Sequence, residues 1–466
     1  MKKFYLSSLF VCLAVAVAMA SGGKAKYVFF FIGDGMGVNQ VNGTEMYLGE
    51  MKGKIGTEAL TFTNFPYAGL VKTYSQSNPI TDSAAGGTAL ATGVKTKNGT
   101  IGMDHTHTKP LQSVAEKAHQ KGARVGIATS VSVDHATPAS FYAHQPSRKM
   151  YYEIGTDLTK SGFEFFAGSD FLSPENKKNP KDKNLFTLVK EAGYQVARGM
   201  KDFHQKSASG EKIILLQETG KEKYSLPFAI DRKADDLTLA QITEAAIQFL
   251  DKENKGFFVM IEGGKIDWSS HSNDVATTFR EVIDMDQAIK KAVDFYHAHP
   301  DSTLIVVTAD HETGGLALGR HGYELNLKTL KDQHISQSEL SRELMVWNTM
   351  NHGMMSWEAL QRFLKEKLGF WDSVQLTEEE EEELREAYND IYKHDNEKVK
   401  SEYSEDEELA TLAIGILNRK GNVGWTTKSH SGAYVPVFAV GAGADQFMGL
   451  MENTDIPKKI ATAAGY

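Results

Sequence analysis

The sequence predicts an α/β fold: a three-layer sandwich in which a mostly parallel central sheet is flanked by helices, with a helical insertion. Three observations lead there. Continuous apolar runs, YVFFFI at 27–32, GFFVMI at 256–261 and STLIVV at 302–307, have the length and β-branched or aromatic character of strands buried on both faces. Glycines and potential ligand residues follow each run directly. Between such runs lie segments of helical spacing, such as Leu237, Leu239, Ile242, Ala245, Ala246, Phe249 and Leu250. A chain of 466 residues can bury a large core, and 41% hydrophobic with 24% charged residues is an ordinary globular composition. The formal charge of -9 argues against a nucleic-acid binder. Any anionic ligand must therefore be drawn in by local charge.

Taken in order, the chain opens with Lys2 and Lys3, an apolar stretch at 4–17 and the small-x-small site Ala18-Met19-Ala20. This is the pattern of a signal peptide over 1–20. The run is too short for a membrane span. The expectation is secretion across the inner membrane to a periplasmic or extracellular destination. Cleavage would remove Cys12, the only cysteine. The remainder, 21–466, would form no disulfide and would hold any metal through nitrogen and oxygen.

Asp34 follows the first strand between Gly33 and Gly35, a carboxylate presented at a strand end. The stretch TDSAAGGTALATG at 81–93 reads as a turn opening a helix, with Asp82 and Ser83 as capping types. A cap alone would explain Asp82-Ser83-Ala84. Gly86 and Gly87 lower helix propensity, however, and suggest that something approaches the backbone there. A serine needs a base or a metal to act as a nucleophile, and Ser83 is read as one. Asp104, His105 and His107 read as a solvated loop. A helix is expected over 113–121 and a strand over 122–129. Asp134, His135 and Thr137 are candidate ligands or their supports. Arg148 is a candidate phosphate clamp, since its fork matches two oxyanion oxygens.

Glu262, Asp267, Trp268 and His271 leave the end of the 256–261 strand. Asp267 and His271 are i and i+4, on one helix face, a usual spacing for two ligands of one ion. Asp310 and His311 leave the 302–307 strand and precede glycines. Segments between 320 and 424 read as a mainly helical insertion lying over the sheet edge. Within it Thr377 caps a helix whose first turn is acidic, from Glu378 to Glu383. His430 follows, then a strand at 435–440.

Each segment alone could be a polar turn. Together they are more, because the carboxyl ends of strands in a parallel sheet share one crevice. Asp34, Glu262, Asp267, His271, Asp310, His311 and His430 are predicted to meet beside Ser83. This makes two zinc-like sites of His and Asp, and a harder oxygen site suited to magnesium.

The motifs FIGDGMG, TDSAAGGTALATG, DHATPA, SRK, IEGGKIDWSSH and TADHETGG, with the late His430, appear in the order of one family. From about Tyr27 to the last strand the chain resembles the alkaline phosphatase family. The resemblance implies a metal-dependent hydrolase of small-molecule phosphate monoesters, working through a phosphoserine at alkaline pH with two Zn2+ and one Mg2+. It implies that Ser83 is the nucleophile and a metal neighbour, and that Arg148 clamps phosphate. It assigns Asp267, His271 and His430 to the first zinc, Asp34, Asp310 and His311 to the second, and Asp34, Thr137 and Glu262 to magnesium. His135 and Trp268 stand as supports outside the ligand set. Family members differ at both positions: aspartate or histidine at the first, commonly lysine or histidine at the second. A homodimer is compatible with this reading. A phosphodiesterase or sulfatase on the same metal scaffold is the alternative enzyme. A non-catalytic metal-binding surface protein is the alternative from another class, and Ser83 argues against it, since holding metal needs no nucleophile.

Overall fold

The computed structural model describes residues 24–466, apart from 253–254, 351–354, 394–398 and 401–404. The leader read at 1–20 lies outside the described residues. Among those residues, ten strands form one sheet. They are β1 (Tyr27–Gly33), β2 (Tyr67–Lys72), β3 (Arg124–Thr129), β4 (Phe165–Gly168), β5 (Tyr194–Arg198), β6 (Lys212–Leu216), β7 (Phe257–Gly263), β8 (Thr303–Thr308), β9 (Val435–Gly441) and β10 (Gly449–Glu452). Their spatial order is β10-β2-β9-β8-β1-β7-β3-β4-β6-β5. Only β9 runs against its neighbours β2 and β8; every other pairing is parallel.

All seven residues of β1 are buried, as are those of β7 and β8. Strands covered on both faces have no polar side to show, which is why their sequences do not alternate. The aromatic residues of β1 and β7 pack edge-on or tilted against Phe295, as in the Tyr27–Phe295 pair with ring centroids 4.9 Å apart. Each such side chain contributes roughly 1.5–3 kcal/mol on burial.

Helices start where capping chemistry allows. Ser113 and Glu116 form a reciprocal capping box at Val114–Gln120, and Thr238 with Gln241 does the same at Leu239–Leu250. The helix Ser83–Thr92 is capped by Asp82, whose side chain accepts from Ala85 N at 3.0 Å. Ser83 is therefore the first helical residue rather than the cap. The glycine pair behind it has a steric reason. A Cβ on Gly86 would come within 3.0 Å of Asp310 O, and one on Gly87 within 3.2 Å of Thr137 Cα. The bare helix lets both ligand-bearing segments approach the serine.

Between 320 and 424 the described helices are Gln337–Met350, Trp357–Leu368, Glu378–Lys393 and Glu408–Lys420. They build a second apolar core together with Tyr47, Val275, Ala276 and Phe279. Those four residues belong to the helices Val38–Met51 and Val275–Ala298. The segment thus packs on a helical layer, not over the sheet edge as the sequence suggested. The reason is that Tyr47 and Phe279 offer an apolar outer face to bury. Thr377 caps its acidic helix as expected, exchanging hydrogen bonds with Glu380. No helix among the described residues is long and apolar enough to cross a membrane.

Candidate active site and metal centre

Strand register assembles the site. Ile32 of β1 pairs with Glu262 of β7 and with Thr308 of β8, and Glu262 also pairs with Thr129 of β3. Asp34, Glu262 and Asp310 are thereby brought to one level at the carboxyl ends of the three central strands. The short helix Lys265–His271 leaves β7 and carries Asp267 and His271 on one face, with Asp267 Oδ1 3.4 Å from His271 Nε2.

Ser83 is fully buried at the helix start, and its Oγ lies 3.2 Å from His311 Nε2. The same nitrogen is 3.2 Å from Asp34 Oδ1 and 3.5 Å from Asp310 Oδ2. Thr137 Oγ1 donates to Asp34 Oδ2 at 3.3 Å and reaches Asp310 Oδ2 at 3.5 Å. His311 stacks on His430, with ring centroids 3.6 Å apart.

Three histidines share one tautomer. His271 Nδ1 faces Lys428 O at 2.5 Å, His430 Nδ1 faces Thr81 O at 2.8 Å, and His311 Nδ1 faces the Thr313 hydroxyl at 3.2 Å. Thr313 Oγ1 gives its own proton to Asp267 Oδ1 at 2.5 Å, so it can only accept from His311. Each Nδ1 therefore carries the ring proton, and each Nε2 presents a lone pair inward. His271 Nε2 and His430 Nε2 point at each other across 3.2 Å, both near Asp267 Oδ1. Facing lone pairs and a carboxylate repel unless a cation lies among them. Fixing the ligand nitrogen through the other ring nitrogen is how proteins orient metal-binding histidine.

The acids give the same answer. Burial, and next the charges of Asp310, Asp267 and Glu262, push Asp34 well above the ordinary carboxylate range. Burial, then Asp267 and Glu262, does the same to Asp310. Burial raises Glu262 to about 7 against the hydrogen bond from Thr129. Burial also acts to raise Asp267, and only positive charge at His271, His430 and His311 would hold this carboxylate low; with the rings neutral, that charge must come from a cation. Buried Asp267 Oδ2 and Glu262 Oε1 have no hydrogen-bond partner. Four buried acids crowded this way need protons or cations, and oxygen and nitrogen donors of this kind suit divalent ions. The donor atoms of Asp34, Asp310 and His311 all lie within 4.8 Å of one another, as do those of Asp267, His311 and His430. His311 thus adjoins both clusters.

His135 sits deeper in the site than a support would. Its donor atom lies within the same 4.8 Å limit of Asp34 and Glu262, whereas Thr137 reaches Asp34 and Asp310. Burial, helped by Arg148, lowers His135 to about 3, so the ring is neutral and able to bind a cation. Trp268 meets the His135 ring at 6.1 Å, tilted 66°. Arg148 Nη2 is 3.4 Å from His135 Nε2, and Nη1 donates to Asp82 Oδ2 at 3.1 Å.

The structure brings Asp34, Ser83, His135, Thr137, Arg148, Glu262, Asp267, Trp268, His271, Asp310, His311 and His430 into one connected cluster of contacts. A scan of family models matches residues 25–165 and 162–466 to one described as alkaline phosphatase. The chain belongs to the alkaline phosphatase family. Alkaline phosphatase 3 of Bacillus subtilis is 32% identical over 448 residues, covering 95% of this chain and 90% of the relative. A cold-active alkaline phosphatase from Shewanella sp. is 30% identical, with 94% and 99% of the two chains covered and a TM-score of 0.79. The alkaline phosphatase of the Antarctic bacterium TAB5 is 27% identical, with 96% and 99% covered and a TM-score of 0.66; a variant of it has been solved with magnesium bound. The protein is accordingly a phosphatase that hydrolyses phosphate monoesters, and its buried His, Asp and Glu residues form clusters whose donor atoms lie close enough together to hold metal ions.

Sequence reasoning missed the residues that hold the others. Asp82 was read only as a cap, yet it also accepts from Gly99 N and from Arg148. Its place beside Ser83 was the available signal. Thr313 lies two residues after His311, on the same side of an extended segment. Thr129, the backbone carbonyls of Thr81 and Lys428, and Glu312 carry no such signal. Glu312 accepts from Gln40, Gly315 and Ser431 and so secures the strand pair that places His430 opposite Thr313.

Proposed function

We propose that the enzyme transfers the phosphoryl group of a small monoester to Ser83 and then to water, with two zinc ions and one magnesium, most actively at alkaline pH. The observation that carries this is Ser83 Oγ, buried at a helix N-terminus and 3.2 Å from the bare His311 Nε2 beside the acid–histidine clusters. Asp267, His271 and His430 would hold the first zinc. Asp34, Asp310 and His311 would hold the second, with Ser83 beside it. Asp34, Thr137 and Glu262 would hold magnesium, with His135 adjoining. Bound divalent ions neutralise the oxyanions and lower the cost of ionising serine and water.

The remaining work belongs to the chain. Ser83 Oγ forms a bond to phosphorus as the ester oxygen leaves, giving a phosphoserine and an alcohol. Water then adds to phosphorus, Ser83 Oγ leaves and regains a proton, and inorganic phosphate is released. Arg148, held by Asp82, binds the non-reacting oxygens through both steps. The amides at the start of the Ser83–Thr92 helix add favourable dipoles. The alkaline optimum rests on the family resemblance and on the need to ionise serine. The segment 1–20 is proposed as an export leader, and 21–466 as one catalytic domain with an insertion at about 320–424.

The test is acid quenching with labelled phosphate. The wild type should carry label on Ser83, and Ser83→Ala should carry none. Turnover in the variant should fall by about 10² or more, with substrate still bound. A folded variant with wild-type turnover would refute the assignment.

A further inference from the structure

Lys265 is the first residue of the helix that carries Asp267 and His271, and it is only 4% exposed. Its Nζ donates to Ser225 Oγ at 2.7 Å. The ammonium lies 3.5 Å from the ring centroid of Phe228 and 4.7 Å from that of Trp268. Ser225 belongs to a segment tied to the end of β3, through its bridge to Val131 and through Leu226 N donating to Ser130 O at 2.8 Å. One buried cation thus joins the ligand-bearing helix, the segment around Ser225 and the Trp268 indole. Removing an ammonium from water is costly, and an apolar side chain would fill this space without that cost. Part of that cost is offset by the buried Glu281 and by Asp231 and Glu222, whose charges act on the ammonium; the contact with the indole is the part that reaches toward the site.

The role of that contact is visible in what else the indole meets. The Trp268 ring meets His135, which touches Arg148 and lies with Asp34 and Glu262. We propose that Lys265 is a positioning residue, whose buried ammonium clamps Trp268 against His135 and so sets the cation affinity of the site around Asp34, His135 and Glu262. This rests on the magnesium reading given above. A desolvated cation over an indole face is a strong, oriented contact. A methionine in its place would fill the volume and release the ring.

The test is calorimetric titration of the zinc-loaded protein with Mg2+. Lys265→Met should weaken binding about tenfold, the usual effect of losing a residue that orients a metal site. The turnover number should fall at low Mg2+ and recover at saturating Mg2+, with KM little changed, and Lys265→Arg should restore most of the affinity. In a Trp268→Leu background Lys265→Met should add nothing, because the clamped ring is gone. Should Lys265→Met not fold, Phe228→Leu opens the opposite wall of the box and should weaken Mg2+ binding in the same background-dependent way. Unchanged affinity in a folded variant, or equal losses in both backgrounds, would overturn the clamp. A wild type that binds no Mg2+ would instead overturn the magnesium reading.

Discussion

Thr313→Val is the sharpest probe of how the histidine tautomers are fixed. The side chain is fully buried and nearly isosteric with valine. The change removes the hydrogen bond to Asp267 Oδ1, 2.5 Å long, and the acceptor of His311 Nδ1–H, 3.2 Å away. A hydrogen bond to a charged group is worth about 1.5–3 kcal/mol. At 1.4 kcal/mol per power of ten, the protein should bind zinc about tenfold to a hundredfold more weakly. Without its acceptor, His311 is also free to move its proton to Nε2, the nitrogen that faces Ser83. Turnover at limiting zinc should therefore fall further than zinc binding does. Competition against a chromophoric chelator measures the affinity directly. Thr313→Ser keeps the hydroxyl and should stay close to wild type. Wild-type zinc affinity in a folded Thr313→Val protein would show that the Nδ1 partners do not organise the site.

Two further outcomes follow from the same geometry. Arg148→Ala should weaken inhibition by product phosphate while leaving zinc stoichiometry intact, because a guanidinium binds oxyanions and cannot ligate zinc; unchanged inhibition would contradict the clamp. Exhaustive chelation should abolish activity, restored by zinc with magnesium, and should give stability an inverse pH dependence. Glu262 is raised from 4.5 to about 7, and Asp34 and Asp310 are also raised well above the ordinary carboxylate range, so the metal-free folded chain holds more protons than the unfolded one and loses stability as pH rises. His135 and His311, both lowered, act the other way, but only below about 6.5, where the unfolded imidazole takes its proton. Denaturant melts between pH 6.5 and 8 lie above the histidine range, and Glu262 should cost about 1 kcal/mol across that interval, read as the difference between the wild type and Glu262→Gln because Asp134, Glu281 and Glu407 are also raised to about 7. A flat profile in the chelated protein would contradict the crowding of these acids.

The parallel core was legible because a strand buried on both faces has nowhere to place a polar residue. YVFFFI, GFFVMI and STLIVV therefore announce β1, β7 and β8 without any partner being known. The glycine pair was legible for a related reason. Gly86 and Gly87 weaken a helix that could have been alanine, and the structure shows Asp310 and Thr137 where their side chains would be. The seat of the insertion was not legible. Whether its apolar residues meet a sheet edge or a helix depends on Tyr47 and Phe279, which read locally as ordinary core positions.

The site divides along the same line. Residues proposed to hold the ions carry a chemistry that survives in one dimension: a carboxylate or imidazole just past an apolar strand. Their partners do not. Lys428 and Thr81 act through backbone carbonyls, which every residue possesses, so no choice of side chain marks them. Asp82 does carry a mark, but capping the Ser83–Thr92 helix already accounts for an aspartate there. Its second oxygen, toward Gly99 and Arg148, adds a function at no cost to the first. Asp82→Asn separates the two roles, since the amide oxygen can still cap Ala85 while the carboxylate charge that anchors Arg148 is lost. The helix should keep its start and product phosphate should bind more weakly, as measured by inhibition beside thermal melting. Intact phosphate inhibition in that variant would mean that Arg148 is positioned by its own backbone bond to Gly99 O, 2.7 Å long, and that the aspartate is a cap alone.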